Sequence, residues 1–509
     1  MASADTLRGA SDGGGRAGEQ AALERAPRAL YIGGEWRAAS SGGTLAVEDP
    51  ATGQSIAEVP DATPEDALAA LAAADGAQAG WQASAPRERS EILRRAYELL
   101  REGADELALL MTLEMGKPVA ESRAEIAYAA EFLRWFSEEA VRIHGRYMTN
   151  TTGSGRILTM RQPVGPCVFV TPWNFPAAMG TRKIAPAIAA GCTMVVKPAQ
   201  QTPLSMLALA KVLEQAGLPG GVLNVITAHR SGAVIEPLLK DPRTRKLSFT
   251  GSTEVGRTLI AQSAQQILRV SMELGGNAPF LVFEDADLDA AVEGALTAKL
   301  RNVGEACTAA NRFHVHESLA DEFARRMAGR MSALKVGRGT EPGVDVGPLI
   351  DERQRQVVRE LVQDALQQGG RLLTGGEDIP GPARPAPGGR GGYFYAPTVI
   401  AGVPASARAL REEIFGPVAP IATFADEAEA IAAANATEYG LLAYVYTREL
   451  QRALRVSEAL EVGMVGLNQG IVSNPAAPFG GVKQSGFGRE GGFEGVEEYL
   501  ETKYVAVAL

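Results

Sequence analysis

Residues 246–256 read Lys246-Leu247-Ser248-Phe249-Thr250-Gly251-Ser252-Thr253-Glu254-Val255-Gly256. A short strand-like run meets a glycine turn and then a helix start that Ser252 is placed to cap. The first turn of a helix carries N–H groups without internal acceptors, which makes it a receptor for an anion. The third, closely spaced glycine of the G-x-G-x-x-G pattern is missing, so a plain capped turn explains these residues equally well by themselves. What decides the fold is that the unit recurs. Cys167-Val168-Phe169-Val170, Met194-Val195-Val196 and Leu223-Asn224-Val225-Ile226 come before it, with helical stretches between them. Strand and helix in alternation predict an α/β fold with a parallel, doubly wound sheet and a ligand at the C-terminal ends of its strands.

Outward from that core, Pro64 to Gly145 is rich in Ala, Leu, Glu and Arg, with Ile92, Leu93, Ala96, Leu99 and Leu100 at helical spacing. Gly153-Ser154-Gly155 sits between two short extended stretches, as in a protruding hairpin. A second α/β segment begins at Ala278-Pro279-Phe280-Leu281-Val282-Phe283, and Asp285-Ala286-Asp287-Leu288-Asp289 caps a helix running towards Cys307. Pro380 to Gly392 reads as a Gly/Pro-rich surface loop. Residues 499–507 alternate like a strand without an evident local partner, so they are expected to pair with the hairpin of a neighbouring subunit. Residues 1–27, with Gly13-Gly14-Gly15 and no apolar run, read as a disordered leader rather than a secretory signal.

Composition narrows the function class. At 509 residues the chain has room for two or three domains. A net charge of −10 argues against a general nucleic-acid or anionic-membrane binder, and no apolar run reaches spanning length. Cys167, Cys192 and Cys307 are too few and scattered for a disulfide framework or zinc site, and suit a reducing, cytoplasmic compartment. His314 and His316 share one face of a strand but have no further ligand types near them, so no metal is assigned.

Cys307 lies in Arg301-Asn302-Val303-Gly304-Glu305-Ala306-Cys307-Thr308-Ala309. A thiol in a loop of small residues can admit a substrate, and a carboxylate such as Glu273, in Glu273-Leu274-Gly275-Gly276-Asn277, can act as its base. Alone, the same cysteine reads as readily as a small buried apolar residue.

The wider set of motifs decides between the two. Pro172-Trp173-Asn174-Phe175-Pro176, Val196-Lys197-Pro198-Ala199, Phe249-Thr250-Gly251-Ser252, Glu273-Leu274-Gly275-Gly276, the Cys307 loop, Glu412-Glu413-Ile414-Phe415-Gly416-Pro417 and Pro478-Phe479-Gly480-Gly481 occur in this order. From about residue 30 to the C-terminus the chain closely resembles the aldehyde dehydrogenase superfamily. Thr181-Arg182-Lys183, Lys299-Leu300-Arg301-Asn302 and Gly480-Gly481-Val482-Lys483-Gln484-Ser485-Gly486 carry a closer likeness to succinate-semialdehyde dehydrogenases.

The resemblance implies two Rossmann-type parallel-sheet domains and a small β element. The dinucleotide-binding domain is expected over 28–145 and 163–277, the catalytic domain over 278–488, and the oligomerisation element over 146–162 and 489–509, in a homodimer or homotetramer. It implies that Cys307 attacks an aldehyde to give a thiohemiacetal and then a thioester, with Asn174 and the Cys307 N–H as oxyanion donors. Glu273 is expected to activate water for deacylation. Lys197 and Glu413 are expected at the two riboses of the cofactor, Gly251 and Ser252 at its phosphates, and Trp173 and Phe415 as packing walls. Gln200 stands where many NAD-preferring relatives carry Glu; a neutral amide does not repel a 2′-phosphate, which favours NADP with NAD tolerated. Arg182, Arg301 and Ser473 match the residues that bind the substrate carboxylate, a role suited to the guanidinium fork. Taken alone, either arginine would read as a surface ion pair.

Two departures from the family pattern stand out. Glu305 replaces a common Gln and is expected to raise the thiol pKa; Ala309 replaces a second Cys found in some relatives. The expected reaction is oxidation of a short ω-carboxy semialdehyde, succinate semialdehyde first and glutarate semialdehyde second, since one methylene discriminates weakly. Transfer of the acyl group to coenzyme A, a non-catalytic cofactor-binding relative, and a cysteine hydrolase are the rival readings. Glu273, the Cys307–Glu273–Asn174 set and the lack of a nearby His speak against them in turn.

Overall fold

The computed structural model describes residues 15–381 and 391–508. Most of the loop expected over Pro380–Gly392 lies outside the described residues. Two large sheets organise the chain, and a small antiparallel sheet projects from them.

In the first large sheet, five parallel strands stand in the order Arg269–Glu273, Lys246–Thr250, Cys167–Val170, Met194–Lys197, Leu223–Val225. Gly486–Phe487 closes one edge antiparallel, and Leu30–Ile32 with Glu35–Arg37 closes the other. The strand order reverses between Cys167–Val170 and Lys246–Thr250, where a doubly wound sheet opens a crevice at its C-terminal edge. The central strands are buried on both faces, as parallel strands covered by helices must be.

The second large sheet runs Arg371–Thr374, Thr398–Ala401, Val418–Phe424, Ala310–His316, Ala278–Val282, Leu442–Tyr446, Met464–Leu467, all parallel except the first. Only Leu274 to Asn277 separate Glu273 from Ala278. The C-terminal edge of the first sheet therefore feeds the N-terminal edge of the second, and the crevice lies between them.

Two expectations are corrected. Within the leader, Arg16–Arg25 forms a helix with Ala22 and Leu23 buried, and Glu19 pairs with Arg338 at 2.9 Å. Residues 1–14 lie outside the described residues. The terminal strand Leu500–Ala508 pairs with Gly155–Pro163 of its own chain over nine residues, and Arg146–Thr149 completes that sheet. The partner was invisible locally because it lies more than 330 residues earlier in the chain. No helix among the described residues is long and apolar enough to cross a membrane.

Candidate active site

Asn174 follows the strand Cys167–Val170, Glu273 ends its own strand, and Cys307 stands just before Ala310–His316. The two glycines after Glu273 are required by proximity rather than by turn conformation. A Cβ on Gly276 would lie 2.4 Å from the Cys307 carbonyl oxygen, and one on Gly275 would lie 3.0 Å from a Glu413 carboxylate oxygen. Only glycine lets the turn after Glu273 lie directly against the Cys307 loop.

That loop is held out of helical conformation. The helix Leu288–Leu300 stops, and Asn302, Val303 and Gly304 follow with φ of 54°, 60° and 79°. A β-branched residue in this region is strained by about 1–3 kcal/mol and persists only where surrounding contacts over-determine it. Those contacts are present. The Asn302 N–H donates to Glu121 at 2.6 Å, and its Nδ2 donates to the Asn174 and Glu305 carbonyls at 3.1 and 2.9 Å. Lys117 Nζ, ion-paired with Glu125, donates to the Asn174 carbonyl at 2.8 Å. Beyond the thiol, the Tyr444 hydroxyl donates to the Thr308 carbonyl at 2.9 Å.

Asn174 is buried; its Oδ1 accepts from Phe175 N–H, and Nδ2 donates to the Glu305 carbonyl at 3.0 Å. An amide nitrogen has two hydrogens, so one remains to donate. The Cys307 N–H meets no carbonyl among the described residues.

Burial pushes the Cys307 thiol up to about 12, with Glu413 and Glu273 adding to the rise and Arg182 and Arg301 opposing it. Burial, and then the neighbouring Glu490, also holds the Glu273 carboxyl well above the usual range, and its Oε2 has no partner. Burial thus disfavours the charged form of both groups. The Glu305 carboxyl, expected beside the thiol, is directed elsewhere. Its Oε1 accepts from Ile350 N–H at 3.0 Å, Oε2 has no partner, and burial holds the carboxyl well above the usual range. Only its backbone carbonyl faces the site.

Arg182 Cζ lies 5.8 Å from the Phe132 ring centroid and Arg301 Cζ 5.7 Å from that of Tyr128, and the two rings pack 4.9 Å apart, so one aromatic pair joins both guanidinia. Arg182 is 2% exposed on the buried helix Ala178–Ala190. Its Nε lies 2.9 Å from Glu490, its Cζ lies 3.9 Å from the Phe479 ring centroid, and its Nη2 has no partner. Arg301 Nη1 donates to Ser473 Oγ at 3.0 Å, with its guanidinium 4.9 Å from the Phe175 ring centroid. The three residues expected to share one pocket are thus brought together, and both arginines lie well away from the solvated ion-pair alternative.

On the cofactor side, Lys197 is buried and its Nζ donates to Ser231 Oγ at 2.5 Å; burial lowers it to about 8, opposed by Asp61. Gln200 lines a neighbouring cleft of about 430 Å³ with Asp61 and His229. Glu413 accepts from Gly276 N–H at 3.0 Å and is pushed up to about 7 by burial. Trp173 and Phe415 meet edge to face, with centroids 5.4 Å apart, and Phe415 takes φ of 52° to do so. One expectation for the turn at Gly251 is revised. The Gly251 N–H is not free for an anion but donates to the Glu273 carbonyl at 3.1 Å, because the two strands run side by side there. Ser252 caps the helix Thr253–Ser263, whose first turn still presents N–H groups. The set fits a nicotinamide dinucleotide: an ammonium, a neutral amide and a carboxylate border the crevice, and the buried Thr250 Oγ1 beside the turn lacks a protein partner.

Sequence reasoning missed Lys117, Glu125, Tyr128, Lys183 as a charge partner, Tyr444 and Glu490. Glu490 pairs with both Arg182 and Lys183. One signal was available: Glu121, Glu125, Tyr128 and Phe132 recur at i, i+4, i+7 and i+11 along Val119–Glu139, one face of a helix turned to the site.

The chain has relatives among known proteins in both sequence and fold. The aldehyde dehydrogenase family model matches residues 36–505. A succinate-semialdehyde dehydrogenase of Paenarthrobacter nicotinovorans is 58% identical over 89% of this chain and 99% of its own length. An NADP(+) succinate-semialdehyde dehydrogenase of Escherichia coli strain K12 is 51% identical over 94% and 97%. A solved structure described as an E. coli NADP-dependent enzyme superposes with a TM-score of 0.92 at 50% identity, covering 95% of this chain and 98% of that one. The chain belongs to the aldehyde dehydrogenase family. It is an oxidoreductase of the NAD(P)-dependent aldehyde dehydrogenase type, with the α/β fold of that family.

Proposed function

We propose that this enzyme oxidises a short ω-carboxy semialdehyde, succinate semialdehyde first, to the dicarboxylate, with NADP+ preferred over NAD+ and water as acyl acceptor. The observation that carries the substrate reading is the buried Arg182 guanidinium with Nη2 unpartnered, linked through the packed rings of Phe132 and Tyr128 to Arg301 and its partner Ser473. A buried cation with a spare donor is satisfied by an anion, and a carboxylate a few carbons from the aldehyde supplies one. Names of the relatives support the same choice.

In this reading Cys307 Sγ bonds to the aldehyde carbon. The free hydrogen of Asn174 Nδ2 and the Cys307 N–H receive the developing oxyanion. Glu273, in its ionised form, takes a proton from the thiol or, later, from the water that releases the acid; its place at the strand end against the Cys307 loop suits that task. When bound, the nicotinamide supplies the hydride acceptor. Lys197, Glu413 and Gln200 hold the cofactor, helped by Ser252 and the turn at Gly251, while Trp173 and Phe415 wall the crevice. In balance, aldehyde, water and NAD(P)+ give carboxylate, NAD(P)H and two protons.

The reading extends to a homodimer or homotetramer formed through the small β sheet, where Tyr147, Met148 and Tyr504 are exposed apolar side chains. Three free cysteines favour a reducing, cytoplasmic setting. Initial rates of NAD(P)H formation with succinate semialdehyde test the function, run in parallel with each cofactor. Faster turnover with NADP+ is expected; turnover equal to that with an uncharged aldehyde would reject the substrate reading.

A further inference from the structure

We infer that Tyr128 is a specificity-determining residue of the carboxylate pocket: its hydroxyl, set beside Ser473 and the two arginines, donates to the anionic end of the substrate. The inference rests on the semialdehyde reading above. Tyr128 projects from the helix Val119–Glu139, on the face that also presents Glu121 and Glu125 to the Cys307 loop and its supports. Its ring packs edge-on against Phe132 at 4.9 Å between centroids, one helical turn on, which fixes the direction of the hydroxyl. Arg301 Cζ lies 5.7 Å from the Tyr128 centroid, and Arg182 Cζ lies 5.8 Å from that of Phe132, so the aromatic pair lies between the two guanidinia.

The Arg301 guanidinium that lies over the Tyr128 ring donates to Ser473 Oγ at 3.0 Å, which brings the serine to the same side of the pocket. Burial raises the phenol while Arg182 and Arg301 oppose that rise, so it remains a protonated donor within the field of both cations.

Donor counting gives the hydroxyl its role. A carboxylate offers about four acceptor positions. Arg182 Nη2 has no protein partner, and Arg301 spends one N–H on Ser473. The Tyr128 hydroxyl completes the set. An aldehyde ending in a methyl group would leave these buried donors unpaired, and sites built of hydrogen-bond donors reject such analogues strongly.

The test is Tyr128→Phe, which keeps the ring and removes only the hydroxyl. We expect KM for succinate semialdehyde to rise on the order of 10- to 100-fold, the loss of one hydrogen bond to a charged group. kcat should change less than about twofold, as for uniform binding. kcat/KM for butanal should hold or rise, and calorimetric binding of succinate to the cofactor-free enzyme should weaken in parallel with KM. Equal losses on both aldehydes, or no loss on either, would overturn the assignment. Arg301→Met separates this from the wider reading. If it impairs succinate semialdehyde selectively and Tyr128→Phe does not, only the tyrosine assignment falls. If neither variant discriminates, the carboxylate pocket falls as well.

Discussion

Asn174 Nδ2 donates to the Glu305 backbone carbonyl at 3.0 Å, joining the turn after the first sheet to the loop that carries Cys307. The bond spans 131 residues of sequence and leaves one hydrogen of the amide free to donate. One side chain thus anchors the loop and, in the proposed mechanism, supplies an oxyanion donor. Asn174→Ala is expected to lower kcat by ~10²–10³-fold, the usual loss for one such donor. Single-turnover rates check this, and a fall confined to KM would remove Asn174 from the chemistry.

The proposed mechanism gives attack to Cys307 and release to Glu273. Glu273→Gln should retain a burst of NAD(P)H near one equivalent per site while steady-state turnover falls by ~10²–10⁴-fold, the span of general-base catalysis. A burst lost together with turnover would place Glu273 in the first step instead.

Glu305 gives a pH-dependent prediction for stability. Its folded pKa is raised above the unfolded carboxyl value, so its stabilising effect is complete below that unfolded value and drains away as pH rises towards the folded pKa. Glu305→Gln removes the drain. The variant's Tm should exceed that of the parent at pH 8, and the gap should close near pH 4. Since the carboxyl faces Ile350 rather than the thiol, the pH–rate profile should not move. A displaced profile would restore the carboxyl to the thiol's surroundings.

Glu490 pairs with Arg182 and Lys183, all three buried. Glu490→Gln leaves two cations without a counter-charge and should cost about 3–5 kcal/mol of stability, the usual price of breaking a buried pair from one side. Chemical denaturation measures it. A loss under about 1 kcal/mol would mean that water reaches the cations.

These four groups also mark how far the sequence could be read. The strand–helix alternation from Cys167 to Val255 was legible because it repeats a local pattern, and the doubly wound sheet followed. Cys307, Glu273 and Asn174 stood out because their motifs occur together, and the fold brings all three to one crevice. Glu305 was misread because residue identity does not say which way a side chain turns; only the fold shows Ile350 receiving it. Glu490 lies 307 residues from Lys183, and Leu500–Ala508 finds its partner at a similar remove, so neither contact leaves a local trace. The Arg16–Arg25 helix escaped for a different reason. Its composition is that of a polar tail, and its order comes from packing Leu23 and pairing Glu19 with Arg338.

The proposed preference for NADP+ rests on Lys197 and Gln200 together. Lys197 is lowered to about 8 by burial, so its charge is present at pH 7 and fades above pH 8. A 2′-phosphate gains from that charge far more than a neutral ribose hydroxyl does. NADP+ affinity, read by calorimetry or fluorescence quenching, should therefore weaken between about pH 8 and pH 9.5 more steeply than NAD+ affinity. A phosphate beside Lys197 stabilises the ammonium, so the decline should begin later in the complex than in the free enzyme. Gln200→Glu adds a carboxylate to a cleft that already holds Asp61 and Glu114. Two like charges about 4 Å apart at a partly screened surface cost up to ~4 kcal/mol, and relaxation and salt should reduce this to a 10- to 100-fold loss of NADP+ affinity. NAD+ affinity should hold or improve, since the new carboxylate can accept from both ribose hydroxyls. If the substitution weakens both cofactors alike, Gln200 shapes the cleft rather than reading the phosphate, and the preference must be sought in the residues around Ser231.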